Sequence, residues 1–308
     1  MMNKDDHSAV RITVLGTRGS IPVSDIRMRI FGGSTSAYMI EAGGERLLFD
    51  AGTGLMNLTR AMLPSDTVRL FLTHTHIDHL LGLPLFLAGP CRGKTLHIYG
   101  RTRNGLSVRE QIACFLHPPL WPAELTAYAG IVVHFHELDD SPARTVLPTE
   151  GTTGSSAAEV RTGCFAVRWM ESRHPGGSLI FRVGAAGRSI VLATDYEHNS
   201  EPDADTDPAL AAFAADADLL LYDSQYTATQ IPERRGFGHS TETAGLRLLQ
   251  RSGARSIRFI HHDPEMTDSA LLEREAAVLE YWSGINGIKA AETADLPAFA
   301  REGETILL

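Results

Sequence analysis

The chain has 308 residues, 43% of them hydrophobic and 21% charged, ordinary proportions for a globular protein with a sizeable core. Its 28 basic and 37 acidic residues give a net charge of -9. An acidic surface repels phosphate backbones, which disfavours a protein that grips long nucleic acid over a broad basic face, while a small anionic substrate stays compatible if bound cations reverse the sign locally.

In chain order, Arg11 to Leu15 reads as a strand that ends in the glycine turn Gly16-Thr17-Arg18-Gly19-Ser20. Ser36 to Glu41 and Arg46 to Phe49 read as a hairpin across Gly43-Gly44, and Val68 to Leu72 as a buried strand running into a cluster of histidines. Leu80 to Ala88 is the most apolar stretch, far too short to span a bilayer and interrupted by Gly82 and Pro84. Further strands are expected at Leu96 to Tyr99, Ile131 to Phe135, Cys164 to Met170, Leu179 to Val183, Ser189 to Ala193, Leu219 to Tyr222, Ser256 to Ile260 and Thr305 to Leu308. Helices are expected at Asp207 to Ala214, at Thr241 to Arg251 with Ser240 as its N-cap, and at Ser269 to Trp282.

Two stretches read as loop insertions, residues 139–156, dense in Pro, Gly, Ser and Thr, and residues 199–207, acidic with two prolines. Neither flanks a second core, so residues 1–308 are read as one domain of layered α/β architecture. Cys91, Cys114 and Cys164 are odd in number and form no CxxC pair, which argues against a disulfide framework or a thiolate zinc site. The polar start, Met1 to His7, lacks the apolar core of a signal peptide, and cytoplasm is the expected compartment.

The chemistry concentrates in His74-Thr75-His76-Ile77-Asp78-His79. Strand residues at i and i+2 share a face, so His74 and His76 can point to one place as the chain leaves its strand. A turn after them would let Asp78 and His79 present a second ligand set, and imidazole with carboxylate suits Zn²⁺, Mn²⁺ or Fe²⁺. His174, Asp195 and the pair His261-His262 each follow another apolar run. Alone each is a weak signal, but strand C-termini that run in parallel converge on one crevice. His134 and His136 share a strand face without an accompanying acid and read as a wet face, and His97 and His117 are isolated.

These residues resemble the metallo-β-lactamase superfamily, whose fold is a four-layer αβ/βα sandwich with the metal site at one edge. Within it the sequence looks most like the ribonuclease Z and cyclic-nucleotide phosphodiesterase branch. The marks are Leu15-Gly16-Thr17-Arg18-Gly19-Ser20, Phe49-Asp50-Ala51-Gly52-Thr53-Gly54, the histidine run, Thr194-Asp195 and Gly238-His239-Ser240-Thr241. The resemblance implies that His74, His76 and His174 hold one divalent metal, that Asp78, His79 and His261 hold the other, and that Asp195 bridges them. His262 competes with His261 for the last place, and His261 is preferred because it follows its strand immediately. Asp50 either orients ligand imidazoles or simply forms a turn beside Gly52. Arg18 and Ser20 either touch a substrate phosphate or stabilise their turn, and His198 lies close enough to Asp195 to reach the site edge.

His239, outside the ligand set, is expected to donate a proton to a leaving alkoxide, and Asp223 stands where the branch places the carboxylate that holds this imidazole, commonly a glutamate. The implied reaction is phosphodiester hydrolysis by a hydroxide shared between two cations, most plausibly Zn²⁺, with Asp78 as ligand and hydroxide orienter. No Lys/Arg-rich insertion accompanies it; Arg92 to Arg109 is only modestly basic. The apolar segment from Phe115 to Pro122 either roofs a small pocket or is a packed connection. A small phosphodiester, a cyclic nucleotide before others, is therefore expected as the substrate, with long nucleic acid and membranes disfavoured and a homodimer implied by the branch. The alternatives are a ribonuclease Z-like RNA endonuclease, a thioester or lactone hydrolase of the same fold, and a metal-binding sensor module. A di-iron oxidoreductase usually carries glutamate where His76 stands.

Overall fold

The computed structural model describes residues 9–128, 130–138, 159–198, 207–286 and 296–308. Residues 139–156, and 199–206 of the second expected loop, lie outside them. Among the described residues the backbone forms two seven-stranded sheets. The first carries β1 (Arg11–Gly16), β2 (Ala37–Ala42), β3 (Glu45–Phe49), β4 (Thr67–Phe71), β5 (Thr95–Gly100) and β6 (Val132–Glu137) in that spatial order. The second runs, in sequence order from one edge, through β7 (Glu159–Thr162), β8 (Phe165–Ser172), β9 (Ser178–Ala185), β10 (Arg188–Ala193), β11 (Leu219–Asp223), β12 (Ile257–Ile260) and β13 (Ala298–Phe299). The last strand, β14 (Thr305–Leu307), returns to pair with β1, so the end of the chain closes the first sheet.

Three apolar clusters occupy the three interfaces of four layers. Between the sheets, alternate residues such as Ile12, Val14, Tyr38 and Phe71 meet Leu179, Phe181, Ile190 and Leu221. The other face of the first sheet is covered by α1 (Leu83–Ala88) and α2 (Val108–Phe115), through Phe86, Leu87 and Ile112. The other face of the second sheet is covered by α3 (Pro208–Phe213), α5 (Glu242–Ser252) and α6 (Asp268–Asn286), through Leu210, Leu249 and Leu271, while the single turn α4 (Ile231–Arg234) lies between α3 and α5 in the chain. This is the α/β four-layer sandwich expected from the sequence. No helix among the described residues is long and apolar enough to cross a membrane.

The differences from the sequence reading are local. α1 forms where Gly82 and Pro84 had read as interruptions; Pro84 sits in the first turn, where its missing N–H leaves no bond unmade. α2 had a signal that was passed over, the capping box of Ser107 and Glu110. The N-cap of α5 is Thr241, whose side chain accepts from Ala244 N, and not Ser240. Ser240 instead donates its N–H to Asp223 Oδ1 at 3.0 Å, and its hydroxyl meets the Tyr222 hydroxyl at 2.8 Å. In the segment 115–122, Leu116 is buried and Phe115 and Trp121 lie against the outer cluster of the first sheet, with Trp121 Nε1 donating to the Tyr128 hydroxyl at 2.9 Å, whereas residues 117–120 are exposed.

Strands β3 to β6 run parallel, as do β10 to β13, and β8 points the same way as β10 because both are antiparallel to β9. The turns after β3, β4, β8, β10, β11 and β12 therefore open on one edge of the sandwich. A backbone bond from Leu179 N to Thr73 O, 2.9 Å, ties the two sheets together at that edge.

Candidate metal centre

Each expected ligand sits on one of those turns. His74 leaves β4, a tight 3₁₀ turn at Ile77–His79 carries Asp78 and His79 back toward it, His174 follows β8, Asp195 follows β10 and His261 follows β12. Four overlapping groups result among the described residues: His74, His76 and His174; His74, His79 and Asp195; Asp78, His79 and His261; and Asp195, Asp223, His239 and His261, with the ligand-capable atoms of each group within 4.8 Å of one another. Asp195 lies between the first group and the third. Its Oδ2 is 3.1 Å from His79 Nε2 and 3.3 Å from His261 Nε2, while its Oδ1 faces His174 Nε2 at 3.7 Å and His74 Nε2 at 3.9 Å. Asp78 Oδ2 completes the deep side, 3.3 Å from His79 Nε2 and 3.2 Å from His261 Nε2. The deep group is buried, whereas His76 on the other side is exposed, so one half of the cage opens outward.

Contacts behind the cage set the direction of each ring. His79 Nδ1 meets Asp50 Oδ2 at 2.8 Å, and Asp50 also accepts from Thr73 N and from the Thr73 hydroxyl. His261 Nδ1 meets Gln225 Oε1 at 2.8 Å, and His174 Nδ1 donates to Gly238 O at 2.9 Å. Ser20 N donates to Asp78 Oδ2 at 2.8 Å, and the Ser20 hydroxyl accepts from Gln225 Nε2 at 3.1 Å. Such partners turn the remaining ring nitrogen inward, as metal-bound histidines require. The inward Nε2 atoms of His74 and His79 are buried without a hydrogen-bond partner. Inward-facing buried imidazole nitrogens beside two carboxylates are a donor set that fits a divalent cation.

Charge follows the same logic. Burial holds His74, His76 and His174 below the usual imidazole range, hence neutral, the form a ligand needs. Burial alone would raise Asp78 and Asp195, but the surrounding imidazoles hold both carboxyls well below their usual range. Against burial, the same carboxylates lift His79 strongly and His261 to about 9. A cation on the deep side must displace those protons, so metal affinity there rises with pH across the neutral range. Equilibrium dialysis at pH 7 and pH 8 is expected to show at least about tenfold tighter binding at the higher pH, because each displaced proton contributes one logarithmic unit per pH unit.

Four residues at this edge hold a left-handed backbone without being glycine: Ser20 (φ 64°), Asp50 (φ 59°), Asp195 (φ 54°) and His261 (φ 61°). That conformation costs free energy at a non-glycine residue and persists where the surroundings over-determine it, as functional sites do. Two glycines give the rings room. A methyl group on Gly19 would lie 2.2 Å from His261 Nδ1 and 2.7 Å from Gln225 Oε1, and one on Gly238 would lie 2.1 Å from His174 Nδ1. Gly19→Ala is expected to weaken metal binding by about 10–100-fold by displacing His261, measured as metal retained on dialysis. Full retention would show that this turn does not position the imidazole.

The remaining candidates separate cleanly. His262 points away from the cage: its Nε2 donates to Ala300 O at 2.8 Å and its ring packs edge-on to Phe31, and burial depresses its pKa to about 3. Arg18 is fully buried and donates to the backbone carbonyls of Gly32, Asp263 and Met266, so it holds its turn and does not face a substrate. Asp50 orients His79 and is more than a turn former. His198 joins none of the ligand groups found among the described residues.

Beside the cage, His239 Nδ1 meets Asp223 Oδ2 at 2.9 Å, so the aspartate, though shorter than glutamate, reaches its histidine. The other acceptor sites of Asp223 take backbone N–H groups, from Asp195 to Oδ2 and from Gln225 and Ser240 to Oδ1. The His239 ring stacks on His261 at 4.9 Å between centroids and lies 5.3 Å from that of His174. The sequence reading missed Gln225, Thr73 and Gly238; their roles depend on backbone atoms and on chain segments far away, and only the glycine before His239 gave a local hint.

A family model described as "Beta-lactamase superfamily domain" matches residues 45–262. Ribonuclease Z of Lactiplantibacillus plantarum is 23% identical over 300 residues, covering 86% of this chain and 92% of that protein. Among solved structures, the metallo-β-lactamase fold protein YhfI from Bacillus subtilis superposes with a TM-score of 0.64 at 17% identity, covering 97% of this chain and 99% of the other. The short form of human tRNase Z does so with a TM-score of 0.60 at 20% identity, covering 96% and 98%.

Proposed function

The chain belongs to the β-lactamase superfamily and is a metal-dependent hydrolase of the metallo-β-lactamase fold, and we propose that it hydrolyses a small phosphodiester, a cyclic nucleotide before others. In this reading His74, His76 and His174 would hold one divalent cation and Asp78, His79 and His261 the second, with Asp195, whose two oxygens face both sets, shared between them. Zn²⁺ suits the donor set best, with Mn²⁺ and Fe²⁺ compatible. When bound, such a pair brings the pKa of water towards neutrality and neutralises charge on the phosphoryl oxygens.

The residues of the chain do the rest. Ser20 N and His261 fix Asp78 Oδ2, so this carboxylate can orient the attacking group without acting as a free base. Asp223 accepts a hydrogen bond from His239 Nδ1–H and so fixes the ring, leaving Nε2 to carry the proton that meets the departing oxygen. The observation that carries the reading is this 2.9 Å Asp223–His239 pair, standing against two candidate ligand rings on the cage wall. Hydrolysis of thioesters or lactones would use the same cage but has no need of such an acid.

A second reading, cleavage of folded RNA, is favoured by the name of the ribonuclease Z relative. The net charge of -9 speaks against it. The metal-loaded protein is expected to convert 3′,5′-cyclic AMP to AMP and to leave a 3′-extended tRNA precursor intact. Cleavage of the precursor without turnover of any cyclic mononucleotide would replace the first reading by the second.

A further inference from the structure

A row of side chains leads from His239 to the surface. Tyr226 lies edge-on to the His239 ring, 5.5 Å between centroids. The guanidinium of Arg234, at the end of α4, lies 5.8 Å from the centroid of Tyr226 and 5.6 Å from that of Phe237. Tyr226 is buried, whereas Phe237 is 49% exposed. An exposed phenylalanine on a floppy loop would mean little, but this loop is fastened. The N–H groups of Gly236 and Gly238 both donate to the carboxylate of Glu197, at 2.8 Å each, and the carbonyl of Gly238 accepts from His174 Nδ1. The ring is therefore held ready on the rim of the cage, with a cation over it in a chain whose net charge is negative.

We propose that Phe237 and Arg234 form a stacking platform for the nucleobase of the nucleoside whose oxygen departs, which makes the substrate a nucleotide diester. The inference rests on the phosphodiesterase reading and adds the side of the scissile bond on which recognition occurs. The direction follows from His239: the acid must face the leaving oxygen, and the row begins at that acid and runs outward. In a nucleoside the base sits one sugar away from that oxygen, on an aromatic and cationic surface that tolerates any base because every base has a π-face. Glu197 is then a positioning residue, since it holds the loop that carries both Phe237 and the carbonyl that orients His174.

Two substrates that release the same product, AMP, separate this site from the catalytic centre. In adenylyl-3′,5′-adenosine the leaving group is a nucleoside; in the methyl ester of AMP it is methanol. Phe237→Ala and Arg234→Gln are expected to raise KM for the dinucleotide by about tenfold with kcat unchanged, the loss of one base stack. KM for the methyl ester should stay at the wild-type value, which also reports an intact fold, and Phe237→Tyr should restore the dinucleotide KM. Equal effects on both esters, or none on the dinucleotide, would overturn the platform while leaving phosphodiester hydrolysis standing. Wild-type protein that is metal-loaded yet hydrolyses neither ester would remove the phosphodiesterase reading and the platform together.

Discussion

His239→Ala is expected to fold, to keep two metal ions per chain and to lose about 10²–10⁴-fold of its phosphodiester turnover, the usual contribution of a positioned general acid. The reason is geometric. His239 shares a group with Asp195, Asp223 and His261, but its Nδ1 is taken by Asp223 at 2.9 Å and stands 3.9 Å from Asp195 Oδ1, and the other acceptor sites of Asp223 are filled by backbone N–H groups. Removing the ring therefore deletes an acid and its ring contacts with His261 and His174, while the hydrogen bonds that orient those two ligands, to Gln225 and Gly238, stay in place. The defect should depend on the leaving group: an ester that releases p-nitrophenolate, which needs no proton, should suffer far less than cyclic AMP. Metal analysis by mass spectrometry with kcat on the two substrates checks both halves. Full activity on cyclic AMP would remove His239 from the mechanism, and parallel loss of metal would make it a ligand.

Asp195→Asn is expected to act on the other term. Its two carboxylate oxygens face opposite halves of the cage, Oδ2 toward His79 and His261 and Oδ1 toward His74 and His174. An amide keeps the size and can still accept the short bond from the Thr194 hydroxyl, but it offers one neutral oxygen in place of two charged ones. The backbone N–H of residue 195 still donates to Asp223, so the acid pair survives the change. Metal content should fall to about one ion per chain or less, and turnover by at least about 10³-fold, since the cations supply both the nucleophile and the charge stabilisation. A ligand that binds only the folded state stabilises it by mass action, so the thermal midpoint should also lose most of its response to added Zn²⁺. A variant that retains two ions and wild-type turnover would show that Asp195 does not bridge.

The contrast between these two variants rests on features of different legibility. The ligand-rich turn after β4 was readable because a buried apolar strand followed by four ligand-type residues in six positions is a purely local pattern. The sandwich was readable because central strands such as β10 and β11 carry buried apolar runs, and because the resemblance to a known superfamily supplied the layer order. Missed elements with weak signals were the two-residue β13, the four-residue β7, and α1, whose proline reads as a breaker until it is known to sit in the first turn; α2 was missed despite its capping box.

What the sequence determined by itself was the inventory of this protein, its donor types, their places at the ends of apolar strands, a further histidine between Gly238 and Ser240, and the acidic net charge. What only the tertiary structure decided was direction. His261 and His262 are neighbours on the same strand end, separated in the sequence only by which one follows the strand immediately; in the structure the left-handed backbone at His261 swings its ring into the cage, and His262 faces Phe31 and Ala300 instead. Arg18 is turned inward by three carbonyls that come from two remote segments, and Phe237 acquires its place only because Glu197, forty residues away, holds its loop. Which way a side chain points depends on the partners that long-range packing brings to it, and those partners are not written next to it in the chain.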